Sequence, residues 1–397
     1  MNNVKQNITV LVIGQTLLLT ISSTVVSVSS LAGQAMAGNK LLASLPVTTW
    51  MLGAALMTYP ASLYMKRAGR RAGFYLGTGC GLVGAALAAL AVTIGSFPLL
   101  CLGTLLLGSN NGIGQYYRFA AADASPAGFK STAISLVMTG GLVGGMLGPT
   151  LSRLSIDLLP HRFLGCYLSL AVYFLLIILL FAFLKIATPT AAESHATGRP
   201  LLEIASQPVF LVSMLSAALA NGVMVLLMVA TPLAMSFCLH PYSAATTVVG
   251  WHFIGMFGPS LITGRLIKRY GAVKIMLVGT LLLFTCITSA LTGSSISHFW
   301  LTMFLLGIGW NLIYIGGTTM LSESANPAEK AKSQGLNDLA ISTLQVVSSL
   351  FSGVLINSGG WELLNYLALF FITLIAAGLL WLSRKQSVVK ELRSQEV

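Results

Sequence analysis

The sequence predicts an all-α membrane protein with twelve transmembrane helices in two pseudo-symmetric six-helix halves. Three observations predict it. Of the 397 residues, 55% are hydrophobic and 8% charged, and the mean hydropathy is +0.85; a soluble domain carries about 25% charged residues. Apolar runs of about 20 residues recur along the chain, each able to cross a core of about 30 Å. The basic residues gather in alternate connections between those runs. A soluble enzyme and a disordered scaffold are both excluded by this composition.

The runs lie at about 8–30, 44–65, 72–93, 97–121, 131–154 and 163–185 (spans 1 to 6). Spans 7 to 12 follow at about 208–233, 243–265, 272–292, 298–321, 333–356 and 362–383. Span 1 is followed by Ala35-Met36-Ala37, which resembles a signal-peptidase site. Its apolar stretch, Ile8 to Leu31, is too long for an ordinary h-region of about 7–15 residues, so it reads as a span. Span 2 leads through a basic loop at Gly69 into span 3, and span 8 does the same through Gly271 into span 9. Glycine suits a sharp turn between two helices. Span 5 carries Gly140, Gly144 and Gly148-Pro149 at a spacing of four, a flat face for close helix contact. Span 8, with Gly258-Pro259, is a looser counterpart, and contact between spans 5 and 8 would form a seam between the halves.

The longest polar interruption divides the chain. It predicts an N-terminal half at 1–185, a cytoplasmic linker at 186–206, a C-terminal half at 207–383 and a cytoplasmic tail at 384–397. Lys and Arg number 22 against 10 Asp and Glu, a formal charge of +12. In a soluble protein that excess would suggest nucleic acid. Here position decides. With the N-terminus inside, all but Lys40, Arg153 and Arg162 fall on the cytoplasmic side. Topology absorbs the charge and leaves no nucleic-acid partner. The expectation is a multi-pass protein of the cell inner membrane, with lipid and a small molecule as its partners, working as a monomer with both termini cytoplasmic. The five Cys form no metal spacing and read as packing.

Across the linker the halves echo each other at an offset near 200. Lys66-Arg67-Ala68-Gly69 answers Lys268-Arg269-Tyr270-Gly271, and Trp50 answers Trp251. Leu106-Leu107-Gly108 answers Leu305-Leu306-Gly307, and Asp123 with Pro126-Ala127 answers Glu323 with Pro327-Ala328. Four such matches in one order suggest duplication, with a solute site at the repeat interface.

Over nearly its whole length the chain resembles the major facilitator superfamily of secondary transporters. The family motif Gly-x-Leu-x-Asp-Arg-x-Gly-Arg-Arg is met by Ser62 to Arg71, which keeps Arg67, Gly69, Arg70 and Arg71. The second copy, Gly264 to Gly271, matches its first half. Both copies put Lys where the family has Asp. The helix-5 motif G-x-x-x-G-P is met by Gly144 to Gly148-Pro149. The Arg that many drug–proton antiporters carry in helix 4 falls at Gly108 here, which weakens that subclass.

Polar groups inside spans are costly and are functional candidates. Span 1 offers Gln15, Thr16, Thr20, Ser23 and Ser27, although Ser and Thr can return to their own helix backbone. Spans 4 and 7 offer Asn110, Asn111, Gln115, Arg118 and Asn221; span 10 offers Trp310, Asn311 and Tyr314. The resemblance places spans 1, 4, 7 and 10 around a substrate cavity. Arg118 could hold an anionic or carbonyl-rich solute, or pair with Asp338. His252 and Asp338 are the choices for proton coupling. A cytoplasmic gate is expected from Arg67, Gly69, Arg70, Arg269 and Gly271, with Arg67 on Asp123 and Arg269 on Glu323.

The function these residues suggest is alternating-access transport of a small organic solute, with protons as a candidate coupling ion. The cavity, rich in amides and aromatics, suits a neutral or weakly anionic aromatic solute, of which a riboflavin-like vitamin is one example. Proton-coupled efflux of drugs or metabolites is the alternative. A receptor lacks an extramembrane domain, and an intramembrane enzyme lacks paired Asp or H-E-x-x-H. No cofactor or metal is expected, and the ATP-site motif G-x-x-x-x-G-K-[ST] is absent.

Overall fold

The computed structural model describes residues 2–37, 42, 45–186, 188, 198–326 and 328–395. Residues 187 and 189–197 of the expected linker, with Lys40 and Pro327, lie outside the described residues. Helices form at every expected span, and no strand occurs among the described residues. Spans 1, 2 and 3 are Asn2–Met36, Leu45–Ala68 and Arg70–Ile94. Spans 5, 6, 7, 9 and 10 are Lys130–Ser155, Leu164–Ala182, Pro208–Phe237, Ala272–Thr292 and Ile296–Ser324. Spans 11 and 12 share the run Lys330–Gln395, broken at Gly360, where φ is 68°.

Two spans expected to be continuous are broken. Span 4 is Phe97–Gly114 followed by Tyr117–Asp123. Asn110, Asn111, Gly112 and Gly114 are poor helix formers, and at the break Tyr116 N–H donates to the Ile113 carbonyl at 3.1 Å, the tighter 3₁₀ spacing. Span 8 is Tyr242–Phe257 followed by Ser260–Tyr270. Pro259 has no N–H to continue the ladder. Length and composition alone single out eight candidate spans among the described residues: the broken spans 4 and 8 and span 2 are not among them, and spans 11 and 12 count as one run.

The chain forms two compact units, Met1–Gly198 with Pro327–Ser342, and Arg199–Asn326 with Thr343–Val397. In the first, the span 5 glycines lie against span 1. A Cβ at Gly140, Gly144 or Gly148 would come within 2.4, 2.2 or 2.6 Å of the carbonyl oxygens of Val12, Thr16 and Thr20. Both faces repeat every four residues, so the backbones interlock along their length. Pro149 follows this stripe and is exposed.

The repeat is visible inside each unit. Gly69 (φ 88°, ψ 162°) and Gly271 (φ 87°, ψ 152°) hold nearly the same backbone, in a region other residues rarely adopt. In the first unit a Cβ at Gly53 would meet the Leu105 oxygen at 1.9 Å, and one at Gly108 the Trp50 oxygen at 1.9 Å. In the second, Gly255 meets the Phe304 oxygen and Gly307 the His252 oxygen, each at 2.6 Å. Gly69, Gly53 and Trp50 thus answer Gly271, Gly255 and His252 in one register. The expected match of Trp50 with Trp251 is one residue off. Trp251 instead points outward, 39% exposed, edge-on to Trp300 and Phe304 at 5.5 and 5.9 Å.

Candidate functional site

At the basic ends of the first unit, Asp123 terminates the short helix after the break in span 4. Arg70 Nη2 reaches one carboxylate oxygen at 2.8 Å and Lys330 Nζ the other at 2.8 Å. Arg70 also donates to the Gln334 side-chain oxygen and lies 5.7 Å from the Tyr116 ring centre. Burial alone would raise the Asp123 pKa, but Arg70 and then Lys330 outweigh it and hold the carboxyl below the usual carboxylate range. The expected partner Arg67 is exposed. Gly69 turns the chain so that the first residue of span 3, not the last turn of span 2, faces Asp123. In the second unit the residue after Gly271 is Ala272, so that loop has no counterpart of Arg70. Arg269 lies over the Tyr270 ring at 5.2 Å, and Glu323 is exposed.

One turn deeper, Arg118 Nη2 donates to Asp338 Oδ1 at 2.5 Å, with side chains 2% and 3% exposed. Arg118 Nη1 donates to the Gln115 carbonyl at 2.7 Å and to its side-chain oxygen at 3.2 Å. Asn337 donates to the same Asp338 oxygen at 2.7 Å. Asp338 Oδ2 is buried without a hydrogen-bond partner. Lys330, Gln334 and Asp338 are spaced by four, so one helix face supplies all three contacts. Sequence reasoning found Asp338 and missed Lys330 and Gln334, although that spacing was the available signal.

The other candidates divide. Thr16, Thr20, Ser23 and Ser27 each return a hydroxyl to the carbonyl four residues back; Gln15 is buried nearby. Asn111 turns to span 1, accepting from Ser22 at 3.0 Å, while Asn110 Nδ2 is buried without a hydrogen-bond partner. Asn221 donates to the Ala217 carbonyl at 2.8 Å and accepts from Gln345 at 3.0 Å. Asn311 is committed to the break in span 8. Its Nδ2 donates to the Met256 carbonyl and to Ser260 Oγ, each at 2.6 Å, and its Oδ1 accepts from Thr263 at 2.8 Å. Gly258 and Pro259 therefore mark a broken helix.

Trp310 and Tyr314 stack at 4.7 Å and 15°, with Phe257 edge-on to Trp310 at 6.1 Å. His252 is buried, with Nδ1 2.8 Å from the Met303 carbonyl. A groove of about 460 Å³ between spans 8 and 10, lined by Val248 and Trp300 among others, includes none of these candidates. Among the described residues no three His, Cys, Asp or Glu gather as metal ligands.

A profile of the Major Facilitator Superfamily matches residues 11–258 and 213–397. The chain is 38% identical over 381 residues to a riboflavin transporter of Brucella anthropi, covering 95% of each. It is 29% identical to an uncharacterized transporter of the same superfamily from Bacillus subtilis, over 90% of this chain and 87% of that one. In fold it resembles a bacterial homologue of the iron transporter ferroportin, with a TM-score of 0.76 at 15% identity over 95% of this chain and 99% of that one. It also resembles the transporter FucP, with a TM-score of 0.73 at 16% identity over 93% and 97%. Identity that low speaks to fold alone. With the repeated loops and twelve spans, these matches make the chain a member of the Major Facilitator Superfamily and a secondary transporter of a small solute.

Proposed function

We propose that this transporter carries riboflavin or a closely related flavin across the cytoplasmic membrane by alternating access, working as a monomer. The observation that carries the reading is the 38% identity, over 95% of both chains, with the Brucella anthropi riboflavin transporter. The stacked Trp310 and Tyr314 support it, because a flavin ring is flat, aromatic and edged with hydrogen-bond acceptors. The bias of basic residues supports cytoplasmic termini in an inner membrane.

On that orientation the Arg70–Asp123–Lys330 cluster is a cytoplasmic latch. The face bearing Lys330, Gln334 and Asp338 must part from Asp123, Arg70 and Arg118 when the carrier opens inward. Proton coupling is assigned to Asp338, because protonation would weaken its hold on Arg118. His252, whose ring is placed against a backbone carbonyl, is the second choice.

Expression in a riboflavin auxotroph tests the substrate. Rescue at low external riboflavin is the expected result, with labelled riboflavin accumulating in proteoliposomes. A fall in cell-associated flavin would identify efflux, and no change in either assay would overturn the substrate. If Asp338→Asn leaves the pH dependence of uptake unchanged, its proton role is wrong.

A further inference from the structure

Spans 7 and 8, 9 and 10, and 11 and 12 turn at one end of the second unit, where Trp361 donates to the Ala290 carbonyl at 3.1 Å and packs on Phe299. At that end the groove of about 460 Å³ between spans 8 and 10 is lined by Ala244, Thr247, Val248, Ile296, Ser297 and Trp300. Its volume falls within the range of small-ligand sites, about 300–1,000 Å³. It holds none of the residues assigned to solute, proton or latch.

The groove is layered along the helices. Ser297 forms its rim, with Ser295 Oγ 2.7 Å from the Ser297 hydroxyl and 2.7 Å from His298 Nδ1. Trp300 stacks on Phe304 at 5.3 Å and 16°, and Trp251 stands edge-on to both. Phe304 lies one turn deeper than Trp300, whereas Ile296 and Ser297 lie one turn shallower. One face of the Trp300 ring is therefore covered, and the other borders the groove. Trp251 and Phe304 continue the aromatic wall about 6 Å further along the span. Trp251 and Ile296 are 39% and 41% exposed, so the groove opens away from the core of the unit. Indoles at the end of a span sit where lipid headgroups meet acyl chains.

Charge selects the occupant. No Lys or Arg occurs between Arg199 and Arg265, between Lys274 and Lys330 or between Lys332 and Arg384, so this end of the unit carries none. Glu362, which opens span 12 there, is an anion. An anionic headgroup would find no cation. An ammonium would find the open face of Trp300, since indole is the best side-chain π partner for a cation. A free ammonium solute would leave the exposed face of Trp251 uncovered, and an acyl chain would cover it.

We propose that the groove between spans 8 and 10 binds a phospholipid with an ammonium headgroup. The ammonium lies over the open face of Trp300, the phosphate lies among the Thr247 and Ser297 hydroxyls, and an acyl chain runs along Trp251.

Native mass spectrometry of the purified full-length transporter, with phosphatidylethanolamine or phosphatidylglycerol of the same chains, tests this. Trp300→Leu keeps an apolar side chain and is expected to lower retained phosphatidylethanolamine about three- to tenfold, leaving phosphatidylglycerol unchanged. Trp300→Phe is expected to lose less. Ser297→Trp fills the groove from its exposed rim and is expected to lower phosphatidylethanolamine retention with Trp300 still in place. Unchanged phosphatidylethanolamine retention in both Trp300→Leu and Ser297→Trp overturns the site, and equal loss of the two lipids in Trp300→Leu overturns the headgroup assignment. Glycerophosphoethanolamine competing as well as the whole lipid would make the occupant a free solute. Displacement of the lipid by riboflavin would make the groove part of the solute path. Either result overturns the lipid. Monodisperse elution and an unchanged melting temperature separate these outcomes from misfolding.

Discussion

Spans 2 and 4 of the first half and spans 8 and 10 of the second share the same close backbone approaches, yet the helix break falls on opposite members. In the first half span 2 is continuous and span 4 breaks after Gly114; in the second, span 8 breaks at Gly258-Pro259 and span 10 is continuous. Where a Cβ at Gly112 would lie 2.4 Å from the Ala54 oxygen, the corresponding Asn311 reaches across and donates to the Met256 carbonyl. Beyond the first break lies a buried ion pair, Arg118 with Asp338, and the second is held by neutral amide and hydroxyl contacts. The repeat hands down where backbones touch. What holds each break is set by the side chains local to it.

The sharpest test of that contrast is the charged break. Arg118→Ala leaves Asp338 buried without its cation and is expected to cost about 3–5 kcal/mol, with transport lost. Adding Asp338→Asn is expected to recover most of the melting temperature but not transport. A single Arg118→Ala variant that transports normally would remove the pair from the mechanism.

Next come the shared glycines. Gly53→Ala forces a methyl to within 1.9 Å of a carbonyl oxygen, against 2.6 Å for Gly255→Ala. Overpacking of this kind costs about 1–3 kcal/mol, and the first-half variant is expected to melt lower. The reverse order would show that the two approaches are not equivalent.

The neutral break is expected to be weaker. Asn311→Ala removes three contacts, for about 1–2 kcal/mol in thermal melts, since interhelical bonds in membranes are modest. A loss as large as that of Arg118→Ala would erase the distinction between the two breaks.

The smallest effect belongs to the loops. Arg70→Ala and Asp123→Asn are each expected to change stability by about 1 kcal/mol or less, because the pair is partly exposed. The Asp123 pKa lies below its ordinary value, so its contribution is complete above about pH 4–5 and lost only as pH falls through that lowered value. Uptake measured from about pH 5 to 8 should therefore keep its shape in Asp123→Asn. A changed profile would assign Asp123 a proton role.

Much of the fold was legible residue by residue. Gly69 and Gly271 announced the two tight loops, because a positive φ is a local demand. Gly258-Pro259 carries a local signal for the break in span 8, since proline has no N–H to continue the ladder; the span 4 break has no proline to mark it. The site was less legible. Arg67 and Arg70 are three residues apart in a basic run, and only the turn at Gly69 decides which meets Asp123. Trp310 and Asn311 both look like cavity residues in sequence. Asn311 is spent on Met256, Ser260 and Thr263, whereas the Trp310 ring N–H is buried without a hydrogen-bond partner.

The sequence by itself determined that lipid is the solvent of this chain, how many times it crosses, and that its loops repeat. Hydropathy and glycine backbone demands are properties of short stretches, readable without knowing any neighbour. Tertiary structure alone decided that the span 5 glycines meet span 1, that Lys330, Gln334 and Asp338 share one set of partners, and which polar side chains stay unspent. Each residue along a helix turns by 100°, so adjacent polar residues meet different neighbours. Only the packed spans say which.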